Sequence, residues 1–355
     1  MAKKPYSRAY RKGVYTAHLR RIEQYTASLE LLYDKVNADL CRLAVQSGYM
    51  GDGMFRFSDY PELNNKAKAV IEGFRKELRS LITDGTVQEW RACNADNDVL
   101  VSGFLNAVRF KGSFEKAFPK YYQNNEAALQ AFLKRKTDHL SLSDRIWKLG
   151  DVHKQNLEDA ISIALKKGTS AAGLSREVRK ELQEPDKLFR RVRNKRTGLL
   201  GLSKPAKEYR PEPGAYRSSF KNAMRLTRTV INNSYREAEQ ERWKQLDFIT
   251  GYEVKRTRYR PFDCPLCDSL AGIYPKNFVF IGWHPQCLCY TIPILCSDEE
   301  FWNSMETDTP IRESVTEVPK GYKDWISSHR DQIMAAEKRG TLPWFLKDND
   351  YKSFL

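Results

Sequence analysis

The chain has 355 residues, 41% hydrophobic and 30% charged, and its 60 Lys and Arg against 45 Asp and Glu give a formal net charge of +15. That length allows two domains with a sizeable core, and the absence of any run of about 18 apolar residues argues against a membrane-spanning helix. The basic opening MAKKPYSRAYRKGVY is followed by no apolar segment, which argues against a secretory signal and for a protein kept in cytoplasm, where clustered cysteines mean metal more often than disulfide.

From about Val14 to Ser47, Leu19, Ile22, Leu29, Leu32, Val36, Leu40 and Leu43 fall mostly at helical spacing and predict one long helix, stopped by the glycine-rich QSGYMGDG. A second helical region is predicted from about Pro61 to Trp90 and a third from Val99 through Phe110. Two or three more follow, broken near Pro119 and at LSLSD, where Ser143 or Asp144 would cap. Gly168 closes this block, so residues 1–168 read as a helical domain with no evident chemistry.

After a short helix in TSAAGLSREVRKELQE comes a stretch rich in Arg, Lys, Gly and Pro without periodicity, which reads as an extended basic loop. Arg190, Arg191, Arg193, Lys195 and Arg196 are its candidate phosphate contacts, with a mobile linker that touches nothing as the alternative. A helix of about eight turns follows from Tyr216 to Leu246. Arg217, Lys221, Arg225 and Arg228, at steps of 4, 4 and 3, form one basic stripe. Phe220, Ala223, Met224, Thr227, Ile231 and Ala238 would pack inward beside it. Residues 176–260 hold 23 Lys and Arg against 11 Asp and Glu. This concentration suits a phosphate-bearing partner such as DNA, and equally an ordinary solvated face.

FITGYEVKRTRYRPFD alternates like a strand and leads into the densest run of cysteines, PFDCPLCDSLAGIYPKNFVFIGWHPQCLCY, after which CYTIPIL is a second strand. Two strands around a Cys-rich turn bury little core and call for a staple. Cys264 and Cys267 make a C-x2-C knuckle, and His284, Cys287 and Cys289 follow at a spacing typical of zinc ribbons. Five donors thus compete for four tetrahedral positions of one structural zinc. Cys264, Cys267 and Cys289 are the expected ligands, with His284 or Cys287 as the fourth. Cys41, Cys93 and Cys296 read as small buried residues. The five histidines stand in HLR, HLS, HKQ, HPQ and HRD, so the H-x-E of zinc deaminases is missing, as are H-E-x-x-H and the phosphate-binding glycine motifs. No catalytic residue is therefore assigned, and Asp263 and Asp268 read as turn or supporting residues. The acidic remainder predicts one helix from Ser297 and another over Lys320 to Lys338, with Trp325, Ile326, Ile333 and Met334 inward and Trp344, Phe345 and Leu346 as an apolar plug.

The helix AMRLTRTVINNSYREAEQERWKQL, a strand, then CPLCDSLAGIYP and HPQCLCY together resemble the phage head-morphogenesis family typified by the Mu F minor head protein. The resemblance covers about Thr169 to Ile294. Val230 stands where that family often has an acidic residue, and Leu288 where it usually has Arg. What it implies is a structural minor capsid component, made in the host cytoplasm and carried in the virion, with portal and capsid proteins as partners and DNA bound, if at all, without sequence preference. The alternatives are a zinc-containing nucleic-acid-binding regulator and, less favoured, a nucleotide-modifying toxin. The fold expected is mainly α with a small α+β C-terminal domain: a helical, portal-contacting region over 1–168, the Mu F-like domain with its zinc-stapled β unit over 169–296, and an acidic helical extension over 297–355.

Overall fold

The computed structural model describes residues 4–49, 54–136, 140–164, 170–183, 192–193, 200–201, 219–257 and 264–355. Helices α1 (Arg8–Gln46) and α2 (Pro61–Ala107) come first, and no proline falls inside either beyond the tolerated first position of α2. Shorter α3 (Phe114–Ala117), α4 (Glu126–Lys134), α5 (Leu142–Ala164) and α6 (Ala171–Gln183) follow. Strands β1 (Val192–Arg193) and β2 (Leu200–Gly201) form a two-residue antiparallel ladder. Helix α7 (Ser219–Gln245) leads into β3 (Ile249–Lys255), α8 (Pro265–Ser269), β4 (Gly272–Tyr274) and β5 (Tyr290–Leu295). Four further helices end the chain: α9 (Asp298–Thr307), α10 (Lys320–Ser328), α11 (Arg330–Lys338) and α12 (Trp344–Lys347).

The mainly helical fold with a small sheet near the C-terminus is as expected, but several details differ. The break predicted between Trp90 and Val99 is absent, and α2 runs straight through RACNADND. Asn94 and Asn97 turn their amides back onto the carbonyls of Trp90 (3.1 Å) and Cys93 (2.8 Å). Their oxygens accept from Arg242 (3.0 Å) and Trp243 (2.8 Å), so tertiary partners override a poor helical propensity. The cap of α5 is Ser141 rather than Ser143 or Asp144. Its hydroxyl accepts from Asp144 N (3.2 Å), and the Asp144 carboxylate accepts in return from Ser141 N (2.8 Å). Ser297 and Glu300 make the same reciprocal cap at α9. The second acidic helix is two, α10 and α11, parted at His329, and Met334 is 39% exposed where burial was expected.

Packing divides the chain into two compact units, one made of Met1–Ile22, Gly85–Lys134 and Thr229–Leu355, the other of Glu23–Asp84 and Arg135–Arg228. Because α1, α2 and α7 each contribute to both units, the divisions read from composition at 168 and 296 are not the ones packing makes. In the second unit Tyr33 of α1 meets Phe74 of α2, His153 of α5 and Phe220 of α7 edge-on, at ring separations of 4.9, 4.7 and 5.3 Å. Leu29, Val36, Leu40, Leu78, Leu157 and Leu174 of the same unit are buried.

In the first unit β3 is the centre of a three-stranded antiparallel sheet, order β4-β3-β5. Strand β4 had no sequence signal, being three residues long. Pro293 sits on the edge strand β5, where a missing N–H is tolerated. At Gly251, beside a register shift in β3, a Cβ would lie 2.7 Å from Val315 Cγ2 and 3.1 Å from Tyr274 O, so no larger residue fits. The sheet does not stand alone on a staple. Phe248 stacks on Phe104 of α2 at 4.1 Å, Tyr274 meets Tyr322 of α10 and Trp283 meets Phe345 of α12. One continuous apolar core thus joins α2, the sheet and α9 to α12. The acidic C-terminal stretch is part of this core rather than an extension, and the plug docks on its own unit with Phe345 and Leu346 buried and Trp344 Nε1 donating to Gly282 O.

His153 is fully buried among aromatic rings, and burial pushes its pKa down from 6.5 to about 3. Its neutral form belongs to the folded state, so its contribution is intact above pH 6.5 and is lost as pH falls toward 3. Stability should decline there with a slope approaching about 1.4 kcal/mol per pH unit from this one group. Urea titrations of wild type and His153→Leu between pH 7 and 4 should show the shallower slope in the variant.

Candidate metal centre

The first knuckle is built where β3 gives way to α8. Cys264 takes the N-cap position in extended backbone, Pro265 starts the helix and Asp268 N donates to Cys264 O (3.0 Å), so one tight turn presents Cys264 and Cys267 to the same side. His284 and Cys287 come from a second turn closed by Cys287 N donating to His284 O (3.1 Å). In it Gln286 adopts φ +61, a left-handed conformation held by its N–H donating to Thr229 Oγ1 of α7 (3.2 Å). Cys289 follows just before β5. Both knuckles thus read X-Pro-x-Cys, and the fold brings them face to face.

All five predicted donors come together. Their ligand atoms form two overlapping triads, Cys264 with Cys267 and His284, and Cys267 with Cys287 and Cys289, each within 4.8 Å; among the described residues no other group of three His, Cys, Asp or Glu side chains gathers this closely. His284 donates from Nδ1 to Pro285 O (2.8 Å), which leaves Nε2 to face Cys267 Sγ at 3.2 Å and Cys264 Sγ at 3.3 Å. Cys267 and Cys287 sulphurs lie 3.9 Å apart. A tetrahedral ion with bonds of about 2.3 Å to sulphur and about 2.0 Å to nitrogen places its ligand atoms about 3.8 Å (S to S) and about 3.5 Å (S to N) apart. The three distances lie near these values, so the donor types suit a metal ion and each triad could hold one. The choice expected between His284 and Cys287 is not the choice the geometry poses: both stand against Cys267, which alone belongs to both triads. Against its burial, hydrogen bonds from Cys267 and Cys289 and the charge of Arg236 hold the Cys287 thiol well below its ordinary pKa.

The sequence reading missed what supports this cluster. Thr229, Asn232, Arg236 and Glu239, at steps of 3, 4 and 3, lie on one face of α7, and that face is turned inward. Asn232 donates to Cys287 O (2.8 Å), and Arg236 donates to the carbonyls of Ile281 (3.1 Å), Cys287 (2.9 Å) and Cys289. Glu239 accepts from Thr291 of β5 and from Arg11 of α1. Behind Asn232, its Oδ1 faces Tyr15 Oη (3.0 Å) and His18 Nε2 (2.9 Å), while His18 Nδ1 faces Glu89 (2.6 Å), itself gripped by Arg21 at 2.7 and 2.9 Å. The signal was present as polar residues at core spacing in a helix.

The other candidates fall elsewhere. Lys221, Arg225 and Arg228 are half-buried and already engaged within the chain, Arg228 Nε with Thr26 Oγ1 at 3.2 Å, so the stripe is not the wholly wet edge it suggests in sequence. Arg193 is in β1, while Arg190, Arg191, Lys195, Arg196 and Arg217, together with Asp263 and Gly168, lie outside the described residues. Asp268 pairs with Arg256. Cys41, Cys93 and Cys296 are free and buried, as expected. Leu288 packs against Tyr15, Leu19, Tyr290 and Ile292, which gives the apolar residue at this position an apolar task.

No family model, no curated protein and no solved structure matches the chain. Among the described residues no helix is long and apolar enough to cross a membrane.

Because Cys267 serves both triads, Cys267→Ser should abolish metal binding. Cys264→Ser and Cys289→Ser each leave a triad and one further donor, and should retain bound metal at reduced affinity. Elemental analysis of the three purified variants against wild type checks this order.

Proposed function

We propose that this chain is a structural, non-enzymatic minor head protein of a bacteriophage, associated with the portal region of the capsid, and that its Cys/His centre holds one structural zinc. One observation carries the reading: the C-P-x-C and H-P-x-C-x-C motifs behind the family resemblance meet at a single centre, and the Arg-Thr helix of the same resemblance supplies the residues that hold it. Thiolate and imidazole donors at tetrahedral spacing favour zinc. A surplus of donors, five for four positions, favours a closed structural site over a catalytic one, which keeps a position open for water or substrate.

Portal and capsid proteins are the partners in this reading. The protein is made in the host cytoplasm and carried in the virion, and any contact with DNA is sequence-independent, driven by the basic excess. A regulator that reads base sequence is less well supported, since three of the four stripe residues are partly covered and engaged within the chain.

The test is purification from infected cells. About one zinc per chain, presence in purified virions and co-purification with portal protein are expected; absence from virions sinks the reading. Chelation should loosen the loop over 264–289 while the aromatic core around Phe104, Phe248 and Phe301 persists, so tryptic cleavage should appear in that loop before the far-ultraviolet circular dichroism is lost.

A further inference from the structure

Three arginines of the first unit are fully or nearly fully buried, and they are not equivalent. Arg11 pairs with Glu239, and Arg242 with Asp98. Arg236, 2% exposed, pairs with no carboxylate among the described residues; its guanidinium meets the carbonyls of Ile281, Cys287 and Cys289 and the hydroxyl of Tyr15. Burial holds the Tyr15 phenol above its ordinary pKa, so that group is neutral. A charge buried without a counter-charge is strongly unfavourable, and carbonyl dipoles offset only part of this.

The fold nevertheless makes room for it. Gly282 has φ +124, and a Cβ there would come within 2.5 Å of Arg236 Nη1 and 3.3 Å of Cys287 Cβ. The rings of Tyr15 and Phe280 flank the guanidinium at 5.5 and 5.3 Å. What stands nearby to supply negative charge is the ligand cluster. Thiols bind metal as thiolates, so a divalent ion carries one net negative charge with three thiolates and a neutral imidazole and two with four thiolates, and in either case one guanidinium offsets one unit of it.

We propose that Arg236 is the built-in counter-cation of the metal centre, setting both the affinity of the centre and the nucleophilicity of its sulphurs. The proposal rests on the metal reading above, and Asn232 separates charge from anchoring, because it holds the same Cys287 carbonyl without bringing a charge.

The experiment compares the full chain with Arg236→Gln, Arg236→Lys and Asn232→Ala. Zinc affinity is measured by competition with a chromophoric chelator, zinc release by reaction with iodoacetamide, and the thiolate-to-metal charge-transfer band after loading with cobalt(II). Arg236→Gln should lose about 10- to 100-fold in affinity, the range for partners of metal ligands. It should also release zinc faster on alkylation and move the cobalt band to lower energy. Arg236→Lys should keep most of the affinity and the wild-type band, and Asn232→Ala should lower affinity without moving the band.

Arg236→Gln that folds as wild type by circular dichroism and matches it in all three readouts overturns the proposal. If Arg236→Gln does not fold, Arg236→Lys decides: a band displaced from wild type shows that charge is not the cause. A wild-type chain that takes up neither zinc nor cobalt refutes the metal reading itself, a result distinct from either of these.

Discussion

A guanidinium sealed inside the first unit has to be met by something, and much of that unit can be understood as the meeting. Arg236 reaches from the middle of α7 to three backbone carbonyls of the loop that carries His284, Cys287 and Cys289. Buried carbonyls need donors, and the helix supplies them here. The irregular loop, which has no ladder of its own, therefore borrows its hydrogen bonds from a helix. Thr229 and Asn232 extend the same arrangement by fixing Gln286 in its left-handed turn and the Cys287 carbonyl in place. A loop tethered this way has few other conformations, and its donors are oriented before any ion arrives.

The polar face of α7 is in turn held by α1 and α2. Tyr15 and His18 of α1 fix the Asn232 side chain, Glu89 of α2 fixes His18, and Arg11 of α1 shares Glu239 with β5. Such a network rigidifies only if every member is satisfied, and here nearly every link is a short contact between groups of opposite hydrogen-bonding character. The apolar side of the unit works independently. Phe104, Phe248 and Phe301 pack α2, the sheet and α9 together through ring contacts of 4.1 and 5.2 Å. Two kinds of cohesion thus meet at the sheet: β5 leans on the polar helix face through Thr291, and β3 on the aromatic core through Tyr252 and Val254.

What the sequence made legible was local. Periodic leucines marked α1, alternation marked β3 and β5, and the spacing of Cys264, Cys267, His284, Cys287 and Cys289 marked the ligand set, because each depends on residues close along the chain. The Asn-rich centre of α2 was misread as a break, since nothing nearby shows that Asn94 and Asn97 have partners in Arg242 and Trp243 some 146 to 148 residues away. The inward polar face of α7 was hidden for the same reason. Asn232 and Arg236 look like solvated helix residues until the carbonyls they serve are brought to them. The division at 168 followed composition, whereas packing follows helices long enough to serve two cores.

That interleaving governs how the molecule can come into being. Tyr15 and Leu19 find their apolar neighbours at Tyr290 and Ile292, and Arg11 finds an acceptor at Thr291, 280 residues later. At roughly 5 to 20 residues per second of synthesis, the N-terminal end of the first helix waits tens of seconds for these particular partners, while its later turns already have α2 to pack against. Its amphipathic surface meanwhile stands open to other chains. Cys287 and Cys289 appear only a few residues before β5, so assembly of the Cys/His cluster and capture of the waiting N-terminal end of α1 fall in the same brief interval.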